Sequence, residues 1–184
     1  MMEVEQKFRL EDFQPALEAL TRQGANGPNH LEEQDLYWNA PDRDFAQTGE
    51  AFRIRCANGQ CFFTYKGPKQ EGEVKIRNEI EIPLGSKEEV FEQHAEMLTA
   101  LGYRQVAWVE KIRLVYQVQL EGTAVTVSLD EVKGLGKFAE VEVLVDSGDS
   151  VQAADLVRAT AALLGLTQWE PRSYLRMVLQ ARGK

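Results

Sequence analysis

The stretch Ala51–Lys66, AFRIRCANGQCFFTYK, holds an asparagine-glycine pair between two runs of alternating polar and apolar residues. Asn58-Gly59 is the strongest short-range hairpin signal, and a two-residue turn there sets Ala57 opposite Gln60, Cys56 opposite Cys61, Arg55 opposite Phe62, Arg53 opposite Thr64 and Ala51 opposite Lys66. Directly opposed residues share a face, so Arg53, Arg55 and Lys66 stand together, with Phe52, Ile54 and Cys56 on the other side. A one-residue slip would scatter this group.

Other strands repeat the pattern. In EVEQKF, Glu3, Glu5 and Lys7 alternate with Val4, Gln6 and Phe8; in KIRNEIEI, Lys75, Arg77, Glu79 and Glu81 oppose Ile76, Ile80 and Ile82. EKIRLVY pairs Lys111 with Arg113, and FAEVEV pairs Glu140 with Glu142. A turn at Glu121-Gly122 pairs Leu120 with Thr123 and brings Arg113 opposite Asp130, although glutamate is disfavoured where φ is positive. The proposed ionic face therefore carries Lys7, Arg53, Arg55, Lys66, Lys75, Arg77, Lys111 and Arg113, with Glu3, Glu5, Glu79, Glu81, Asp130, Glu140 and Glu142.

On an open sheet such a face would be solvated, each exposed pair contributing about 0–1 kcal/mol. Here the opposite faces are apolar enough to need a cover of helices, so the ionic face is expected inside a closed sheet. Strands are predicted near 2–9, 34–39, 50–57, 60–67, 73–82, 107–120, 123–131 and 137–145. Helices are predicted over 12–23, from a Ser86/Glu89 capping box to 101–103, and over 149–164, with a short terminal helix in EPRSYLRMVLQ that has Pro171 in its first turn. The fold class is α+β: an eight-stranded antiparallel barrel with a charged interior and flanking helices, in one domain over 1–184.

The net charge of −8 argues against general binding to nucleic acid or to an anionic membrane. No apolar run approaches a membrane span and the amino terminus is acidic, which makes the cytoplasm the expected location. There, Cys56 and Cys61 are expected as two free thiols on the outer apolar face, although their register allows a cross-strand disulfide. His30, placed in a Gly/Pro-rich loop, and His94, on a helix, are expected in solvent; Trp38, Trp108 and Trp169 are read as packing residues.

The segments EVEQK, DLYWNAP, FRIRC, TYKGP, RNEIEI, EKIR and SLDEVKGLGKFAEVEV, in this order, resemble the CYTH superfamily of triphosphate tunnel enzymes, and GLGKFAE with EPRSY is similar to bacterial class IV adenylyl cyclases. The resemblance implies a tunnel, often dimeric, that binds a triphosphate and Mg²⁺ or Mn²⁺. It assigns phosphate contacts to Lys7, Arg53, Arg55, Lys66, Lys111 and Arg113, with Lys75 and Arg77 on the same face, and metal contacts to Glu3, Glu5, Asp130, Glu140 and Glu142. Lys7, Arg53, Lys66, Lys111, Arg113 and Asp130 form the expected catalytic set. The implied reaction converts ATP to cyclic AMP and pyrophosphate. A carboxylate at Glu142 is also usual in the triphosphatase branch, so hydrolysis of tripolyphosphate, thiamine triphosphate or a nucleotide stands as the alternative, with a non-catalytic nucleotide or polyphosphate sensor as a third reading. Tyr37, Arg172, Ser173, Tyr174 and the KGLGK turn (Lys133, Gly134, Gly136, Lys137) receive no firm role from sequence.

Overall fold

A computed structural model describes residues 2–68, 74–145 and 150–183. The strands are β1 (Met2–Leu10), β2 (Asn26–Asn39), β3 (Ala51–Ala57), β4 (Gln60–Lys66), β5 (Lys75–Ser86), β6 (Arg104–Leu120), β7 (Thr123–Val132) and β8 (Gly136–Val145). The helices are α1 (Gln14–Arg22), α2 (Phe45–Thr48), α3 (Lys87–Ala100), α4 (Ser150–Leu163) and α5 (Tyr174–Ala181). The strands close into a barrel in the order β1-β5-β4-β3-β2-β6-β7-β8, with antiparallel pairing throughout.

Both hairpin registers hold. Ala51 faces Lys66, Arg53 faces Thr64 and Cys56 faces Cys61 across the β3–β4 turn; Arg113 faces Asp130 across the β6–β7 turn. Asn58 takes φ 47° and Glu121 takes φ 50°, so the glutamate accepts the disfavoured conformation that the paired strands impose.

The apolar faces point outward, as the alternation requires. Val4, Phe8, Val127, Leu129, Ala139 and Val141 pack beneath α4 and α1, and Leu36, Trp38, Ile54, Cys56 and Cys61 pack with Leu98 of α3. Burying each such aliphatic side chain contributes about 1.5–3 kcal/mol, which is what holds helices against the wall. The cover thins along β5, where Ile80 and Ile82 stay about half exposed (48% and 53%).

Several boundaries and contacts differ from expectation. β2 starts at Asn26, eight residues before the predicted start, and takes in His30, because its whole length pairs with β6. The four-residue α2 is too short to show a helical period. Pro171 precedes α5; Ser173 is its N-cap, accepting a hydrogen bond from the Arg176 amide. Ser86 occupies the N-cap position of α3, but the Glu89 side chain, the β5 start at 73 and the α4 start at 149 lie outside the described residues. Cys56 and Cys61 are not free: they form a disulfide, with Cα atoms 4.1 Å apart. The close approach of a non-hydrogen-bonded pair brings the two side chains into bonding range, and compartment arguments alone missed this. The KGLGK segment is a turn, with Gly134 and Gly136 at positive φ and the Lys133 amide donating to the Glu110 carbonyl.

Candidate functional site

A cavity of about 1210 Å³ runs through the barrel. All eight predicted cations border it, as do Glu3, Glu5, Glu79, Glu81, Glu140 and Glu142. Asp130 faces inward too, but it stands behind Arg113, fully buried and away from the cavity surface. The alternation of each strand is thus sufficient to gather charges separated by more than 130 residues.

Sequence reasoning missed Glu33 and Asp35. Both lie on the inward face of β2, in phase with Tyr37, and the alternation in EEQDLY was the available signal once the strand is started early enough. Glu33 pairs with Arg55 and Lys111, each at 2.9 Å. Asp35 accepts from Arg55 through both oxygens at 2.8 Å and from Arg53 Nη1 at 3.0 Å. Burial alone would push Asp35 up, but Arg53 and Arg55 hold it down at about 2. Among the described residues, eight cations therefore face nine carboxylates inside the barrel.

Most of these charges are paired without ligand. Lys75 binds Glu5 at 2.8 Å, Lys66 binds Glu3 and Glu79, and Arg77 lies 3.4 Å from Glu3. Arg113 grips Asp130 with Nε and Nη2 at 2.7 and 2.6 Å and also binds Glu140. Arg53 and Lys7 are among the cations that retain donors for a guest. Arg53 uses Nη1 for both Asp35 and the Tyr37 hydroxyl, and its buried Nε has no acceptor among the described residues. Lys7 lies 3.7 Å from Glu140 and over the Tyr174 ring at 4.0 Å; burial lowers its pKa to about 8.

One acid is left over. Glu142 sits opposite Glu5 and makes no hydrogen bond or ion pair with a described residue. Burial, with Glu3 and Glu5 beside it, pushes its pKa up to about 8. A carboxyl crowded by two others, with oxygen-only donors around it, fits a hard divalent ion such as Mg²⁺ or Mn²⁺. Among the described residues no three acids already converge as a closed cage, so substrate oxygens and water would complete any coordination shell.

One end of the bore is apolar. Phe138, Val109, Val132 and Tyr37 pack there against Tyr174, Met177 and Val178 of α5. Beside this plug, Phe45, Ala51, Val106, Leu175 and Leu179 wall a cleft that opens onto Arg53 and Lys66. Val106 reaches it because a bulge between β2 and β6 inserts one extra residue.

The chain segment before α5 is strapped to β1. Glu170 donates its amide to the Lys7 carbonyl, Arg9 donates its amide to Gln168, and the Glu170 carboxylate takes both Arg9 and Arg172. Arg172 accordingly serves the strap, outside the bore. Its hydrogen bonds hold Glu170 down at about 2 against an ordinary 4.5. A depressed carboxyl stabilises above its unfolded value and stops doing so as pH falls through the folded one. Lowering the pH from about 4.5 to about 2 should therefore loosen the strap, read as a fall in the amide protection factors of Arg9 and Glu170, each rate being taken against its intrinsic value at the same pH. Glu170→Gln should exchange fast already at neutral pH; an unchanged profile would remove the carboxylate from this role.

A family model described as the CYTH domain matches residues 1–174. A Methanocaldococcus jannaschii protein provisionally named an adenylate cyclase is 37% identical over 142 residues, 77% of each chain. Adenylate cyclase CyaB of Aeromonas hydrophila is 33% identical over 189 residues, covering 97% of this chain and 90% of its own. A solved Pyrococcus horikoshii protein superposes with a TM-score of 0.83 at 36% identity, covering 98% and 99% of the two chains. A Hippeastrum protein, provisionally named an adenylyl cyclase but with a dominant triphosphatase activity, shares the fold at a TM-score of 0.65 and 16% identity, covering 100% and 96%. The ionic barrel deduced from hairpin register and the family match over the same residues converge, and the chain belongs to the CYTH family.

Proposed function

We propose that the chain is a metal-dependent adenylyl cyclase that converts ATP to cyclic AMP and pyrophosphate. The observation that carries this reading is the apolar cleft of Phe45, Ala51, Val106, Leu175 and Leu179 at one end of the cationic bore. Inorganic tripolyphosphate has no use for apolar walls, whereas a nucleoside joined to a triphosphate needs both environments in line. The names of the Aeromonas and Methanocaldococcus relatives support the same choice.

Lys7, Arg53, Arg55, Lys66, Lys75, Arg77, Lys111 and Arg113 would replace the water around the triphosphate, the arginines as planar forks and the lysines as point charges. With eight cations against nine acids the bore is close to neutral, and a guest with about four negative charges at neutral pH would be repelled unless divalent ions enter with it. Of the acids that the resemblance assigns to metal, Glu3, Glu5, Glu140 and Glu142 border the cavity and would hold them. When bound, such an ion supplies Lewis-acid activation of the attacking hydroxyl and neutralises developing charge. The chain would position the ribose 3′-hydroxyl against the α-phosphorus; the new O–P bond forms as the hydroxyl loses its proton to water in the bore and the bond to pyrophosphate breaks. Lys7, Lys111 and Arg113 stabilise the charge gathering on the leaving group.

A second reading, triphosphatase, is favoured by Glu142, because a further inward carboxylate can orient a water molecule. Purified protein given ATP or tripolyphosphate with Mg²⁺ or Mn²⁺ separates the readings by product. Cyclic AMP with equimolar pyrophosphate is expected. Orthophosphate from tripolyphosphate without cyclic AMP would transfer the assignment to the hydrolase, and binding without either product would make the chain a sensor.

A further inference from the structure

Tyr174 belongs to the last helix, yet its side chain is buried among the bore charges. The strap at Gln168–Glu170 and the Ser173 cap deliver it there. Its hydroxyl donates to Asp130 Oδ2 at 2.7 Å. The same oxygen receives Arg113 Nη2 at 2.6 Å and lies 4.0 Å from Lys111 Nζ, while Oδ1 receives Arg113 Nε at 2.7 Å. Both oxygens are thereby engaged, and Asp130, at 0% exposure, offers no surface to the cavity. Glu3, Glu5, Glu140 and Glu142 all do.

The ring of Tyr174 has its own partners. Lys7 Nζ stands 4.0 Å and Lys111 Nζ 5.3 Å from its centroid, distances at which the ring face attracts a cation. One side chain thus touches, directly or through Asp130, three of the cations assigned to the leaving phosphates. With its Nε and Nη2 edge held by Asp130 and Glu140, Arg113 has Nη1 left to turn toward a guest.

We propose that Tyr174 is a positioning residue of the phosphate clamp, orienting Arg113 through Asp130 and seating Lys7 and Lys111 on its ring, and that Asp130 anchors the clamp and is not a metal ligand. This departs from the metal role that family resemblance assigns to Asp130, and it rests on the reading of the bore as a triphosphate site. Neither oxygen reaches the cavity surface, so metal coordination by Asp130 would require the carboxylate to turn out of its buried position, and that turn would break its bonds to the phenol and the guanidinium and strand buried donors.

The test uses the full chain, Tyr174→Phe and Asp130→Asn, with inorganic tripolyphosphate binding in the presence of Mg²⁺ followed by calorimetry, Mn²⁺ binding by electron paramagnetic resonance, and the Arg113 Nε–H signal by NMR. In Tyr174→Phe, where no charge changes, the tripolyphosphate dissociation constant should rise about ten-fold. Mn²⁺ affinity should stay within about two-fold, and the Arg113 Nε–H proton should lose its slow exchange. Asp130→Asn should also keep Mn²⁺ affinity, provided its melt shows a folded chain. A ten-fold fall in Mn²⁺ affinity in Asp130→Asn would overturn the proposal. So would unchanged tripolyphosphate binding in Tyr174→Phe, or a rise in its Mn²⁺ affinity, which would mean that the phenol had been competing with metal for Asp130. Should the wild-type chain bind neither probe, the triphosphate reading fails, and the Arg113 signal alone decides the anchor: protected in wild type and lost in Tyr174→Phe supports it, and any other pattern refutes it.

Discussion

Glu5→Gln is expected to lower turnover by about 100-fold or more while moving the melting temperature by only a few degrees. The two halves of this expectation have separate causes. For folding, Glu5 is the 2.8 Å partner of Lys75, so its removal leaves one buried ammonium with less compensation. It is also a source of the upward push on Glu142 and Glu3, so its removal relaxes two crowded carboxyls. At a separation of 4 Å and an effective dielectric near 20 each contact is about 4 kcal/mol, with opposite signs, and a wet bore brings both down further. Despite its burial, Lys75, Lys7, Lys66 and Arg77 together hold the Glu5 carboxyl well below its usual range, so the balance is a loss of stability, limited to a few degrees by the relief of the neighbouring acids. For turnover nothing offsets the loss, because Glu5 is central to the acid group that a dication would occupy and its amide isostere carries no charge. The melt and the rate, measured on one preparation, decide the matter. An unfolded variant would make Glu5 structural, and a fully active one would remove it from the site.

The same balance explains why so much of the bore could be read from the chain. Closing a sheet around charges forces every inward position of every strand to be polar or to meet a plug, and a period-two alternation records that directly. Asn58-Gly59 then turns periodicity into contacts, since its register carries Arg53 to Thr64 and Ala51 to Lys66. The parts that escaped were those whose conformation is imposed from a distance. NGPNHLEE, at 26–33, has little intrinsic strand character; it is extended because β6 pairs along it, and starting the strand at 34 lost Glu33 and left Asp35 unremarked. Tyr174 meets Asp130 across 44 positions, with no local pattern to announce it. The Cys56–Cys61 pairing was visible in the register, but not whether the sulfurs are joined.

Arg53→Lys should weaken tripolyphosphate binding, measured with Mg²⁺ present, by about 10- to 100-fold without destabilising the fold. Arg53 is 9% exposed, and its Nη1 serves both Asp35 at 3.0 Å and Tyr37 at 2.9 Å. Its Nε is buried and finds no acceptor among the described residues. An unmet donor of this kind costs about 1–3 kcal/mol in the empty protein, and an arriving phosphate oxygen removes that cost. The penalty therefore reappears as affinity. Lysine keeps the charge and can still reach toward Asp35, which retains Arg55 through two bonds, so the empty state loses little. What lysine lacks is the second edge of the guanidinium, and with it the donor that was waiting. Calorimetric titration beside a thermal melt distinguishes the causes: affinity should drop while the melting temperature holds or rises. If the two fell together, Arg53 would be a wall residue whose loss distorts the bore, and its open Nε would have no part in recognition.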